Sequence, residues 1–441
     1  MPPHRDGQVS AGVRLVTRSC RVPDVSFRSF LAGRAAPRVH WAAPDGFEVA
    51  ATGAAARVTA DGPGRFETVR EDSSALFDAM APDDDAPDAT RPRLFGGFAF
   101  GDDHDPAPPW TGFAAAEFVL PRVQLTRTDS DTWLTVAADD ANAAADLLVT
   151  TRDDLADMPE MRPRGDPPGV ETTRHTTARE EWCEQVDRVV DRIREGELRK
   201  VVLATALGVD LASPVSVPDV LERLRSSYPD CYRFLVEPGD DGGFFGAPPE
   251  RLVSLRGRTV ETEALAGSVG RGDTPEEDDE LAAELTDSEK VREEHALVAE
   301  TIRDRLAPLA ESVTVADRRL RRLSTIQHLQ TPISAELAGD GHVLDVVEAL
   351  HPTPAVGGLP LGEALRTIRE TETFDRGWYA SPVGWFDADG DGEFAVAIRS
   401  GVAADERATL FAGNGIVADS DPTAEWEEVQ LKYLPILDEL E

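Results

Sequence analysis

The chain has 441 residues, 41% of them hydrophobic, and a formal net charge of −37. That much apolar material builds a large core rather than a disordered chain, and that much acid leaves no basic face for nucleic acid or an anionic membrane. A carboxylate-coated surface of this kind fits a salt-adapted protein, because at molar salt the screening length shrinks to about 3 Å.

Lysine is nearly absent: Lys200, Lys290 and Lys432 are the only three. Each has therefore survived where surface lysine was lost, and each lies in or beside a motif described below. Cys20, Cys183 and Cys231 are widely spaced with no CxxC, which predicts small buried thiols in a reducing compartment rather than disulfides or a zinc site. The opening MPPHRDGQVS lacks an apolar segment and no run approaches 18 apolar residues. Neither a signal peptide nor a membrane span is predicted, and a cytoplasmic location is expected.

Taken in chain order, residues 1–150 read mainly as strands, among them LFGGFAF (Leu94 to Phe100) and EFVLPRVQL (Glu117 to Leu125). Ala81 to Pro92 and Thr151 to Thr176 are rich in Pro, Asp and Gly and read as loops, the second separating a leading third from residues 177–441. A helix is predicted from a capping box at Thr177 and Glu180, with Trp182, Val186, Val189 and Ile193 on one face, ending near Gly196. The β-branched run Lys200 to Val209 follows, then a helix starting near Ser216. Strand-like runs continue to LAG, a long helix is predicted over Glu276 to Leu306, and another over Leu361 to Glu370. Val383 to Phe386 and Glu393 to Val402 read as paired strands about the turn DADGDG. TLFAG precedes a last helix from Pro422 to Leu437. Adjacent strands with helices grouped elsewhere predict an α+β fold: one large domain of two stacked, mostly antiparallel sheets flanked by helices. Asp387, Asp389 and Asp391 imitate the start of an EF-hand, but the loop's twelfth position falls on Ile398, so a hairpin turn is the better reading.

The chemistry-bearing residues stand in unusual company. Glu294 lies in SEKVREEHALV beside an apolar run. Glu425 and Glu428 are spaced i, i+3, and Lys432 lies one further turn along that face. Hard carboxylates from separate helices suit Mg²⁺, which seldom receives an all-protein cage; the plain alternative is a surface Glu–Lys pair. GAPPERLVSL places Glu250 where a strand would begin, and ETEALAGS ends in a small-residue turn at Gly267 and Ser268. LSTIQHLQTP carries His328, which could equally be a core histidine, and HPTPAVGG carries Ala355 in what could be no more than a rigid turn. FAVAIRS puts Arg399 inside an apolar strand, and LFAGNGIV offers Gly413 and Gly415. A buried arginine calls for an anion, and glycine-rich backbone beside it can cradle a carboxylate.

Together these fragments resemble the chorismate-binding enzymes, a group that includes isochorismate synthase, salicylate synthase, anthranilate synthase component I and aminodeoxychorismate synthase component I. KVVLAT, GAPPE, LAGS, SEK…EEH, IQHL, HPTPAVGG, FAVAIRS, FAGNGIV and EWEE…K occur in family order across residues 178 to 437. LFGGFAF and LPRVQL resemble the isochorismate synthase branch. The resemblance implies Mg²⁺ held by Glu294 and Glu428, with Glu425 reaching it through water. It implies Lys200 as the base that activates water and Glu250 as the acid that releases the ring C4 hydroxyl. Arg399, with backbone near Gly413 and Gly415, would take the enolpyruvyl carboxylate, Lys432 and the Mg²⁺ the ring carboxylate, His328 would line the ring, and Ala355, Gly267 and Ser268 would belong to the substrate site. Relatives often carry Asp where this chain has Val291, three residues before Glu294.

Three positions select the reaction that the resemblance implies. Lys200 favours water over ammonia as nucleophile, Ala266 stands where aminodeoxychorismate synthases often carry a lysine, and Ala355 matches the isochorismate-forming type. Chorismate is the expected substrate, with menaquinone biosynthesis as the expected destination. A monomer is expected, without a glutamine amidotransferase subunit. The alternatives are salicylate synthase, in which pyruvate elimination follows in the same pocket, and an inactive chorismate-binding regulatory subunit, which the intact Lys200, Glu250, Glu294 and Glu428 disfavour.

Overall fold

A computed structural model describes residues 14–81, 87–158, 164–323 and 326–441; the side chains of Ser268 and Lys290 also lie outside the described residues. The N-terminal ten residues and the middle of the Ala81 to Pro92 stretch are thus not described.

The two expected sheets are arms of one hydrogen-bonded system, and every pairing between its strands is antiparallel. The arms meet at Ala116–Arg127, which pairs with both Glu48–Ala60 and Arg93–Phe98. One arm runs from Glu48–Ala60 through Arg38–Ala42, Arg233–Gly239, Gly242–Gly246, Ser400–Ala404 and Arg407–Ile416 to Lys200–Leu211. The other runs from Arg93–Phe98 through Pro382–Asp387, Gly392–Val396, Arg251–Arg256 and Thr259–Gly270 to Ile326–Leu337. Residues from both arms share one hydrophobic core, in which Phe118, Phe244, Trp378, Phe386 and Phe394 are essentially fully buried. Most of these strands are buried on both faces, so they read as apolar runs rather than as alternation.

The chain passes between the arms in two places that matter later. Residues 247–250 connect Gly242–Gly246 to Arg251–Arg256, and residues 397–399 connect Gly392–Val396 to Ser400–Ala404. The crossings are tied together: the Ala247 amide donates to the Arg399 carbonyl at 3.0 Å, and the Val396 amide to the Glu250 carbonyl at 3.1 Å.

Helices cover the arms. Pro422–Leu437 lies on Arg407–Ile416 and against Arg179–Arg194, while Glu289–Leu306 lies across Thr259–Gly270. The helix near residue 180 starts later than its capping box suggested, at Arg179, and its cap is Ala178 with no side-chain bond; Trp182, Val186, Val189 and Ile193 are its buried face. The predicted long helix is two, Pro275–Asp287 and Glu289–Leu306. Ser288 ends the first, and its hydroxyl caps the second by accepting from the Val291 amide. The stretch from Thr151 to Thr176 is not all loop: it holds the end of helix Ala141–Ala156 and the strand Val170–His175, which pairs with Lys200–Leu211. The leading third also carries helices Phe27–Ala32 and Arg65–Asp78.

Candidate active site

Lys200 opens the strand Lys200–Leu211 at the far end of the first arm, and Arg407–Ile416 lies beside it with Gly415 opposite Val202. The lysine side chain lies over Gly415. A Cβ at that position would stand 2.6 Å from Lys200 Cε and 3.1 Å from its Nζ, so glycine is needed for the lysine to lie there. Lys200 Nζ reaches Glu294 Oε1 at 2.5 Å, and its side chain is only 10% exposed. Glu294 is aimed by its neighbour. His295 is buried, with Nδ1 at 3.2 Å from the Ala266 carbonyl and Nε2 at 2.8 Å from Thr331 Oγ1, which pins the helix to two strands of the second arm. A cavity of about 580 Å³ opens on Lys200, Glu294 and Pro354. A larger one, about 740 Å³, lies around Phe100 and His351 and touches none of the candidate residues.

Glu250 sits at the first crossing, immediately before Arg251–Arg256, and is buried. Burial pushes its carboxyl up to about 8, and the Glu263 carboxylate adds to that; the Lys200 and Arg321 charges pull the other way. Glu250 is therefore a neutral acid at pH 7, close enough to Lys200 to feel its charge.

Arg399 sits at the second crossing rather than inside a strand: its φ is +49°, and the apolar run predicted over Glu393 to Val402 is two strands with this corner between them. Its guanidinium has no carboxylate at ion-pair distance among the described residues; the nearest polar partner is Cys231 Sγ at 3.9 Å. His328 pairs across the sheet with Ser268, next to the bulge at Gly267, whose φ of +77° a side chain would strain. Burial, followed by the Arg399, Arg321 and Lys432 charges, pushes His328 down to about 3, while a bond to the Gly267 backbone opposes them. It is a neutral imidazole whose Nε2 is buried with no partner among the described residues. An unpaired cation and an unpaired ring nitrogen in one neighbourhood are what a planar, anionic ligand would satisfy. Ala355 lies half-buried in the turn between His351 and Leu359.

The last helix supplies a third group. Lys432 Nζ donates to the Gly413 carbonyl at 3.0 Å and Asn414 Oδ1 at 2.6 Å, and lies 2.9 Å from Glu428 Oε1. Glu425 accepts from Asn414 Nδ2 at 2.9 Å and Ser420 Oγ at 2.7 Å. Burial raises its carboxyl, and the Glu428 charge adds to the rise. Among the described residues no three His, Cys, Asp or Glu side chains form a ready-made metal cage. Two of the three candidate carboxylates carry a lysine ammonium, Lys200 on Glu294 and Lys432 on Glu428. Few and hard carboxylate oxygens, with no thiolate or imidazole among the candidate ligands, fit Mg²⁺ better than a softer metal.

The sequence of residues 8–441 matches the model of the chorismate binding enzyme family. The chain belongs to the chorismate-binding enzymes. Among members of that family, it is 38% identical over 410 residues to the salicylate biosynthesis isochorismate synthase of Pseudomonas aeruginosa, covering 90% of this chain and 84% of that one. It is 36% identical over 358 residues to isochorismate synthase MenF of Bacillus subtilis, covering 80% and 75%. The structure of the menaquinone-specific isochorismate synthase MenF from Escherichia coli superposes with a TM-score of 0.83 at 26% identity, covering 97% and 95% of the two chains. This chorismate-binding enzyme thus shares the fold of that solved relative.

Glu263, Gln330 and Asn414 lie inside the motifs ETEALAGS, LSTIQHLQTP and LFAGNGIV but were not singled out there, and Arg321 and Ser420 fall outside every motif. Glu263 stands in the strand-like run that ends at LAG and Arg321 in the basic run RRLRRL, and only strand pairing puts them side by side.

Proposed function

We propose that this chain is an isochorismate synthase that converts chorismate to isochorismate for menaquinone biosynthesis. The observation that carries the reading is the pairing of opposites: an amine from one arm and a buried neutral carboxylic acid from the crossing to the other arm, within electrostatic reach of each other. Adding water at ring C2 while losing hydroxide at C4 needs one proton removed and one delivered, and these two groups can do so. Lys200, as the free amine, takes a proton from water as its oxygen bonds to C2. The ring double bonds shift, the C4–O bond breaks, and Glu250 gives its proton to the departing oxygen, which leaves as water. Lys200 then returns its proton through solvent and Glu250 regains one, so hydroxyl has moved and nothing is consumed.

Arg399 and the neutral His328 suit the carboxylates and ring of the substrate, with Gly267, Ser268, Ala355, Gly413 and Gly415 supplying a close backbone wall. Glu294 and Glu428 would hold Mg²⁺, with Glu425 reaching it through water. Bound there, the ion would neutralise the carboxylates and take up the ring carboxylate beside Lys432. Lys200 must be uncharged to act as the base. No described helix is long and apolar enough to cross a membrane, and we place the enzyme in the cytoplasm as a monomer acting without an amidotransferase subunit.

Incubation with chorismate and Mg²⁺ in molar KCl, followed by chromatography, tests this: isochorismate is the expected product. Salicylate with pyruvate would assign the chain to salicylate synthesis, and calorimetric binding of chorismate without turnover would make it a binding subunit.

A further inference from the structure

Glu263 is buried on Thr259–Gly270, and the reaction as described makes no use of it. Its carboxylate is held from three sides. Arg321 Nη1 lies 3.1 Å from Oε1, Gln330 Nε2 donates to Oε2, and the Arg251 amide reaches Oε1 at 3.5 Å. Gln330 is itself oriented, since its Oε1 accepts from Arg319 at 2.8 Å and its amide is thereby turned toward Glu263. Arg251 directly follows Glu250, so a second buried acid is fixed beside the proton donor. Two buried carboxylates cannot both ionise cheaply side by side, and among the described residues only Glu263 of the two is given hydrogen-bond donors.

We infer that Glu263 is a positioning residue: its fixed negative charge keeps neighbouring Glu250 as the neutral acid that protonates the departing hydroxyl. This rests on the assignment of Glu250 above. The charged groups facing Glu250 are Glu263 on Thr259–Gly270, Lys200 on Lys200–Leu211 and Arg321 on Arg319–Arg322. The guanidinium of Arg251 turns away to Glu261 at 2.7 Å. Lys200 and Arg321 favour the ionised form of Glu250; burial and Glu263 favour the acid. Glu263 acts by repulsion, and by pairing with Arg321 at 3.1 Å it offsets part of that cation's pull on Glu250. The geometry of the strands sets the division of labour: the donors Arg321, Gln330 and the Arg251 amide are gathered on Glu263, beside Glu250.

The test is the pH dependence of kcat for isochorismate formation in molar KCl, for the native enzyme and the variants E263Q, R321Q and E250Q. Glutamine at 263 keeps the shape and removes the charge, so the alkaline limb is expected to move to lower pH by at least about one unit. R321Q removes an opposing cation and is expected to move that limb upward; it also carries the test if E263Q does not fold. A limb that stays in place in either folded variant, with E250Q inactive at every pH, overturns the role of Glu263 alone. Turnover by E250Q would instead overturn the assignment of Glu250 on which it stands.

Discussion

Gly415→Ala isolates the placement of Lys200 from the rest of the site. The added Cβ would lie 2.6 Å from Lys200 Cε, whereas carbon atoms rest at about 3.5–4.0 Å, so the lysine must withdraw by about 1 Å. That withdrawal pulls Nζ from the position in which it meets Glu294 at 2.5 Å. A misplacement of this size costs about 10²-fold in rate, equivalent to about 2.7 kcal/mol in the barrier. The fold should not suffer, because the colliding atoms are the far end of a flexible side chain, and Gly→Ala at an ordinary strand conformation stabilises by about 0.4–1 kcal/mol through the unfolded state. The assay is steady-state kinetics with chorismate and Mg²⁺ in molar KCl, beside thermal unfolding of the same preparation. A fall in kcat of about 10²-fold with KM little changed and Tm held or raised is expected. Native turnover from the folded variant would refute either the position of Lys200 or its role. Gly413→Ala is the contrasting control: its Cβ would stand 2.8 Å from the Leu203 carbonyl oxygen, a backbone atom that cannot swing aside, so the sheet itself should be destabilised.

Lys200→Ala should lower kcat by about 10²–10⁴-fold yet still bind chorismate in a calorimetric titration, because Arg399 and His328 are untouched. Glu250→Gln tests the buried acid through stability. A carboxyl near 8 when folded and near its ordinary value when unfolded costs nothing below pH 4.5, and up to about 1.4 kcal/mol per pH unit between 4.5 and 8; the Gln variant should gain on the native protein across that window in denaturant titrations, and a constant difference would mean that Glu250 is ionised in the fold. Glu425→Ala, which strips a group anchored by Asn414 and Ser420, should raise the Mg²⁺ concentration needed for half-maximal activity by about 10–100-fold, as read from a Mg²⁺ titration of rate. Lowering KCl from molar to about 0.1 M lengthens the screening length from about 3 to about 10 Å, and with a net charge of −37 the unfolding temperature should fall.

How far the sequence could be read depended on whether a feature was local. Lys200, Glu250, Glu294 and Glu428 each stood in a short motif, and Pro422–Leu437 was legible from its proline and acidic start. The break at Ser288 was not, because helical periodicity runs through it and a serine cap in an acidic stretch resembles ordinary surface. Helix Ala141–Ala156 buries only Ala144, Thr151 and Leu155, too narrow and too small a stripe to announce itself. The corner at Arg399 was hidden for the opposite reason, since the residues on both sides of it are buried and apolar and read as one strand. Glu263 and Arg321 are brought together only by Ile326–Leu337, which pairs with both of their strands.

The scarcity of lysine ties composition to mechanism. A surface of carboxylates serves solubility in salt, but it also sets a negative field against an anionic substrate and against any amine asked to lose its proton. The two lysines whose side chains are described are not on that surface as ordinary charges. Lys200 is buried against Glu294, and Lys432 is bonded to the Gly413 carbonyl and Asn414. Arg399, at a crossing between arms, has no carboxylate at ion-pair distance among the described residues and would supply the positive charge toward the substrate. The site is thus insulated from the protein's own charge by depth and by local pairing, and salt screens the rest. If that is the arrangement, added surface acid far from the crossings should leave kcat at molar KCl unchanged, while neutralising Arg399 with Arg399→Gln should raise KM for chorismate by about 10–100-fold, the worth of a lost charge-assisted contact; a kcat that followed the surface charge would show that the cleft is not insulated.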